Sequence, residues 1–197
     1  MTYGFFRKTD LDAKRPRIVA FVDFGHSKLT ITYCSFVPGK TKIIMSHSNR
    51  NLGARKLDYQ LFEIFAAEFA KKHGCDPRDD KRCRLRMLDA IEKMRKLLTA
   101  NKEAEISCES LMEDQDFRKL FKRTDLETLM EPFIKDFTLC LKESLAKSGL
   151  SCGHIDFVEL VGEATRIPII QECIKNLFKK ELSRTLNSQD CIARGCA

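Results

Sequence analysis

Residues 23–28 read Asp-Phe-Gly-His-Ser-Lys, a set of groups suited to holding an anion. A glycine lets backbone N–H groups come close to a phosphate. At this corner only Gly25 offers that approach, so binding at His26 and Ser27 falls to their side chains. The Ser27 hydroxyl and the His26 ring can donate, and Lys28 brings positive charge. The competing reading is that Gly25 permits the turn and does nothing more. Further on, Glu92, Lys96 and Thr99 stand at i, i+4 and i+7, with Arg95 adjacent. On a helix these side chains project together, as in an ordinary surface ion pair.

The corner needs strands on either side. Residues 18–22 are apolar without alternation, as in a strand buried on both faces. Residues 29–36 alternate, with Leu29, Ile31 and Tyr33 on one side and Thr30, Thr32 and Cys34 on the other. Pro38 and Gly39 suit the central positions of a type II turn, and residues 41–46 return as a third strand. The result is a β-meander whose first bend is the anion corner.

The Glu92 face needs a helix. Residues 78–99 place Met87, Ile91, Met94 and Leu98 on its opposite side. Before it, Leu57, Leu61, Ile64, Phe65 and Phe69 recur at helical spacing, and Gly74 suits the end of that helix. A strand is expected at 105–111, and 117–122 is a short element of open type. Residues 124–127, Thr-Asp-Leu-Glu, have the pattern of a capping box. The helix they begin carries Leu126, Met130, Phe133, Phe137, Leu141 and Leu145 in one stripe, with a kink expected at Pro132 and an end at Gly149. Residues 157–161 form another apolar strand running into Gly162. Pro168 then sits in the first turn of a helix that faces Ile170, Ile174 and Leu177 inward. Ser188 suits the N-cap of a last short segment. Tyr3-Gly4 and residues 191–197 look like pieces of helices, so both ends read as cuts.

Composition narrows the class. The chain has 197 residues, 43% hydrophobic and 32% charged, as in an ordinary folded domain or two. The longest apolar run is residues 18–22, far short of the roughly 20 residues of a membrane span, and no signal-peptide core opens the sequence. The nine cysteines form no C-x-x-C pair and read as reduced thiols. The four histidines do not join them at zinc-ligand spacing. The net charge is +7, with basic clusters at Lys81-Arg82, Arg84 and Arg86, at Arg118-Lys119 with Lys122-Arg123, and at Lys179-Lys180. Interleaved acids (Asp79, Asp80, Asp89, Glu92) and few neighbouring aromatics favour solvated helix faces over a nucleic-acid groove.

The order of meander, helix pair, strand, long helix, strand-Gly-x-x-Thr-Arg-Ile-Pro and terminal helix resembles a known family over nearly the whole chain. It is similar to the second lobe of the nucleotide-binding domain of the seventy-kilodalton heat-shock chaperones, in the actin-like ATPase superfamily. The stretch RIVAFVDFGHS, the preceding YGFFRKTDL and the ending ARGCA look like the larger, one-hundred-and-ten-kilodalton branch, whose members act as nucleotide exchange factors and holdases. The resemblance implies an α/β, ribonuclease H-like lobe II, with a mixed sheet, flanking helices and a smaller α+β subdomain. It implies a residual linker at 1–16, a lower subdomain from 17–52 and 124–197, and an upper one at 53–123.

The resemblance also assigns residues. Asp23 matches a metal-proximal aspartate, and Gly25, His26, Ser27 and Lys28 match the second phosphate loop. Gly53 and Ala54 match a glycine pair near the phosphates, with Asp58 in the same helix. Glu92, Arg95, Lys96 and Thr99 match the adenosine-facing side of a helix. Gly162, Glu163, Ala164, Thr165, Arg166 and Ile167 match the adenosine motif. The sequence departs from the pattern at Ala54, Arg55, Glu163 and Gln189, where the family has glycine, glutamate, glycine and aspartate.

The function implied is a piece of an ATP-binding co-chaperone, using ATP or ADP with magnesium in the full protein and holding nucleotide weakly or not at all as this chain alone. Its partners would be a seventy-kilodalton chaperone and unfolded clients bound through other domains, with no membrane partner and nucleic acid disfavoured. Its compartment would be the cytosol, with the nucleus as a second. Hydrolysis needs groups on both sides of the phosphates, so no turnover is expected from this chain alone, and only a weak ATPase from the full-length protein. A lobe of an active folding ATPase and a basic nucleic-acid module stand as alternatives.

Overall fold

The computed structural model describes residues 2–3, 11–187 and 190–197. Gly4, Ser188 and Gln189, invoked above, lie outside the described residues. The chain falls into two compact units, one from Met1–Ala54 with Pro132–Ala197 and the other Arg55–Glu131.

The first unit is built on a five-stranded sheet. β1 (Arg17–Phe24), β2 (Leu29–Val37) and β3 (Lys40–Asn49) form the antiparallel meander. Gly39 has φ 72°, as a type II turn demands of its third residue. β6 (Phe157–Val161) adds parallel to β1, and β7 (Leu182–Ser183) parallel to β6, giving the order β3-β2-β1-β6-β7. Asp156 sets the β1–β6 register, because its carboxylate accepts from the Ile18 N–H at 2.8 Å and its own N–H donates to the Ile18 carbonyl at 2.8 Å.

Both faces of the sheet are covered where β1 runs, which accounts for its unbroken apolar run. On one face Phe24 meets Phe133 and Phe137 of α3 (Arg123–Ser148), with ring centroids 5.8 and 5.4 Å apart. On that side the Ser144 hydroxyl donates to the Leu141 carbonyl, so Tyr33 donates to Ser144, at 3.0 Å. On the other face Tyr3, Val19, Cys34 and Phe36 cluster with Leu11, Phe21 and Leu186. Cys34 lies on the side of β2 opposite Tyr33, as the alternation predicts, and is buried there. α4 (Pro168–Phe178) begins on its proline and buries Ile170, Ile174 and Phe178. Phe178 takes the inward place expected of Leu177. α5 (Cys191–Cys196) follows near the chain's end.

The second unit contains α1, α2 and a hairpin. α1 (Ala54–His73) buries Leu57, Leu61, Phe62, Phe65 and Phe69, and ends at Gly74 with φ 78°. Ile64 is 43% exposed; it lies off the stripe that Phe62 completes. α2 (Lys81–Leu97) starts later than residue 78 because Asp80 caps it, accepting from the Cys83 N–H at 2.7 Å. Its inner face is Met87, Ile91 and Met94, with Leu98 following. β4 (Glu103–Met112) and β5 (Gln115–Lys122) pair antiparallel, and Phe117 and Phe121 pack on Phe65 at 5.5 and 5.4 Å.

The capping box expected at 124–127 does not form. α3 starts at Arg123, directly after β5, so Thr124 is already helical and its hydroxyl faces the Asp125 carboxylate at 3.5 Å. The Arg123 N–H instead donates to the Lys102 carbonyl and its Nε to the Leu98 carbonyl, each at 2.8 Å. α3 is one helix through Pro132, and the two units divide at that residue. Among the described residues no helix is long and apolar enough to cross a membrane.

Candidate functional site

In the first unit the chain turns between β1 and β2 at residues 25–28, and the Gly25 N–H closes the corner on the Lys28 carbonyl at 3.2 Å. His26, Ser27 and Lys28 are exposed there. Gly25 is not among the positive-φ residues, and a Cβ added to it would meet nothing within 4 Å. Neither backbone conformation nor packing calls for glycine at this position. The reading in which Gly25 merely permits the turn therefore loses its physical reason. The Cβ side of Gly25 is open space.

Gly53 is different. A Cβ there would lie 2.5 Å from the His26 carbonyl oxygen and would overlap the Ser27 carbonyl. Gly53 lets the start of α1 sit directly on the corner, and the next N–H, of Ala54, donates to the Gly25 carbonyl at 3.1 Å. Gly53 thus shapes the corner from behind. Ala54 is buried and Arg55 is exposed, so the first departure is absorbed in packing and the second faces solvent.

Gly162 closes the site against the end of β1. It has φ 83° and ψ 141°, and a Cβ would meet the Phe24 oxygen at 2.5 Å and Asp23 Oδ1 at 2.8 Å. Glu163, Ala164, Thr165 and Arg166 then form a 3₁₀ turn. Glu163 is outside the positive-φ set, so a side chain fits where the family has a second glycine. Thr165 is buried, its hydroxyl donating to the Gly162 carbonyl at 2.6 Å and its own carbonyl accepting from the Gln171 side chain at 2.8 Å. Ala164 and Ile167 are buried and Arg166 is exposed. Thr165 and Ile167 therefore brace the turn, and Arg166 is the motif residue that reaches outward.

Asp23 lies beside Gly162 at this end of β1. Burial pushes its carboxyl above its ordinary value of 3.8, and the nearby Lys28 charge opposes the rise. A raised pKa means the folded state binds the proton more tightly. Its stabilising contribution is full below pH 3.8 and is lost as pH rises through the folded value. Asp23→Asn is expected to flatten this acid-side dependence, read as urea midpoints across pH 3 to 7. Equal pH profiles for the two proteins would count against burial of the charge.

In the second unit the Glu92 face resolves into two kinds of residue. Lys96 and Glu92 pair at 2.9 Å on the outer side, 52% and 35% exposed. The Thr99 hydroxyl donates to the Lys96 carbonyl at 2.7 Å, just past the helix. Arg95 points inward. Its Nε and Nη2 donate to Asp58 Oδ1 and Oδ2 at 2.5 and 3.0 Å, and both side chains are 5% exposed. Arg95 was expected on the ligand-facing side; the fork to Asp58 removes it from that surface. Sequence spacing gave no sign of this pairing, because the partners are far apart along the chain.

The family model described as Hsp70 protein matches residues 1–197. The chain belongs to the Hsp70 family. A heat shock protein homolog of Saccharomyces cerevisiae is 40% identical over 199 residues, covering 100% of this chain and 29% of that protein. Heat shock 70 kDa protein 16 of Arabidopsis thaliana is 40% identical, covering 99% of this chain and 26% of that protein. The 97 kDa heat shock protein of Mesocentrotus franciscanus is 38% identical, covering 100% of this chain and 22% of that protein. The chain thus spans less than a third of each of these Hsp70-family relatives. The recognition made on the residues, of a member of this family with likeness to its larger branch, agrees with these matches.

Proposed function

We propose that the chain is lobe II of the nucleotide-binding domain of a large heat-shock co-chaperone of the one-hundred-and-ten-kilodalton branch. In the full protein it would help open a seventy-kilodalton chaperone for nucleotide exchange, in the cytosol with the nucleus as a second compartment, while other domains hold unfolded clients. Residues 17–52 with 124–197 would be its lower subdomain and 53–123 its upper one. The similarity to a protein named for a mass of 97 kDa supports the larger branch.

The observation that carries the nucleotide reading is the unexplained glycine at 25, open on its Cβ side and followed by exposed His26, Ser27 and Lys28. These residues fit a phosphate chain. The Gly25 backbone gives close approach, Ser27 and His26 donate hydrogen bonds, and Lys28 supplies a point charge. Among the described residues no three His, Cys, Asp or Glu side chains gather as a metal site. Asp23 is the carboxylate that would face a cation arriving with the nucleotide. Arg166 would offer its planar guanidinium to the base; taken by itself, the Glu92 and Lys96 face of the second unit would offer polar contacts to a nucleoside. Bound nucleotide supplies no chemistry here. It holds the lobes of the full protein in the arrangement that docks a partner, by shifting a population.

Gly25→Ala tests this reading. The added methyl meets no protein atom, so stability should hold or rise by about 0.4–1 kcal/mol through the unfolded state. Affinity of the full-length protein for a fluorescent adenosine diphosphate should fall at least about tenfold, since the methyl occupies the approach to the backbone. A folded variant with unchanged affinity would remove the phosphate from this corner.

A further inference from the structure

We infer that the buried Asp58–Arg95 pair is a positioning device that sets the register of the α2 face carrying Glu92 and Lys96, and through it the preference for the base. The inference rests on the adenine-nucleotide reading of that face. The pair is a two-point fork, Nε to Oδ1 at 2.5 Å and Nη2 to Oδ2 at 3.0 Å. Each side chain is 5% exposed, against 52% and 35% for Lys96 and Glu92. A buried ion pair gains little over well-packed apolar side chains, because desolvating both charges offsets their attraction. What it does supply is geometry. A planar guanidinium on a carboxylate fixes distance and angle together, whereas apolar contacts tolerate sliding and rotation.

The place of the fork matters. Arg95 directly precedes Lys96 and lies on the turn after Glu92, so a helix held at Arg95 carries both outer side chains in a fixed rotation. Asp58 stands on α1, so the fork ties α2 to α1 within the second unit. The same end of α2 is held a second time, where Arg123 Nε donates to the Leu98 carbonyl at 2.8 Å. The Thr99 hydroxyl, bonded to the Lys96 carbonyl at 2.7 Å, closes the backbone beneath Lys96. Together these contacts pin the last turn of α2 on its inner side and at its end, leaving Glu92 and Lys96 as the outer, solvent-facing pair. Selective contact with a base requires supporting residues that hold the reading side chains within about half an ångström.

The experiment uses the full-length protein and competition of adenosine and guanosine diphosphates against a fluorescent adenosine diphosphate. The double variant Asp58→Leu with Arg95→Met replaces the fork by apolar packing, and Arg95→Lys keeps the charge but loses the fork. The double variant is expected to melt close to wild type, to bind adenosine diphosphate about tenfold more weakly, and to lose much of its preference over guanosine diphosphate. Arg95→Lys should fall between the two. Wild-type affinity and preference in a folded double variant would overturn the positioning role while leaving the nucleotide reading in place. If the double variant does not fold, Arg95→Lys decides by the same two readings. Unchanged affinity in Glu92→Ala and Lys96→Ala would show that this face does not read the nucleotide, and the positioning role would fall with that reading of the face while the phosphate corner would stand on its own test.

Discussion

Replacing Gly162 by alanine should destabilise the protein by roughly 2–6 kcal/mol, the larger of the two glycine effects expected at the site. Two independent costs add. The backbone at φ 83° and ψ 141° lies in a region that side-chain-bearing residues reach only with strain of about 1–3 kcal/mol. The new methyl would also sit 2.5 Å from the Phe24 carbonyl oxygen, an overlap with backbone that cannot rotate away. Overpacking of that kind costs typically 1–3 kcal/mol more. Relief requires moving the 3₁₀ turn off β1, and that turn carries Arg166 outward. Urea denaturation of the Gly162→Ala and Gly25→Ala variants side by side separates the two kinds of glycine. The first should lose a large part of its midpoint and the second none. Equal midpoints would mean that Gly162 is not wedged against β1.

That contrast explains why the sequence could point to the corner but not to the job of each glycine. A glycine is the same letter whether it serves a positive φ, a close backbone contact or open space for a ligand. Gly39, Gly74 and Gly149 were legible because each follows a periodic apolar segment, and all have positive φ. Gly53 and Gly162 needed the fold, since their neighbours come from other segments, and Gly25 needed it because only the fold shows that nothing lies beside it. β2, α1 and α2 could be read from period, and β1 and β6 from unbroken apolar runs.

The hairpin of β4 and β5 shows the opposite case. Its two-residue turn is Glu113-Asp114, with φ 49° and 56°. Both residues sit in the left-handed region that glycine or asparagine usually announces, so nothing in the sequence marked the turn. Without a marked turn, residues 117–122 read only as an element of open type. β7 has only two residues and owes its strand form to pairing with β6. The capping pattern at 124–127 failed because β5 runs straight into α3, and Arg123 finds its partners at Leu98 and Lys102. A local signal loses where tertiary hydrogen bonds have already satisfied the helix start.

Arg95→Met made alone is the second large expected effect, a loss of about 3–5 kcal/mol. The substitution leaves the Asp58 carboxylate 5% exposed without its cation and without both of its guanidinium hydrogen bonds. Asp58→Leu made alone should cost a similar amount, now by stranding Arg95. The double variant should recover most of either loss, because no unpaired charge remains and the volumes are roughly kept. Urea melts of the four proteins form a thermodynamic cycle whose coupling term isolates the pair. A single-variant loss within about 0.5 kcal/mol of zero, as at an ordinary surface position, would show that Asp58 rehydrates or finds another donor, and the fork would then fix nothing. A large single loss with recovery in the double variant means stability is indifferent to the pair's chemistry. The fork's use would then lie in orientation, which is the property that the nucleotide-preference measurement reads.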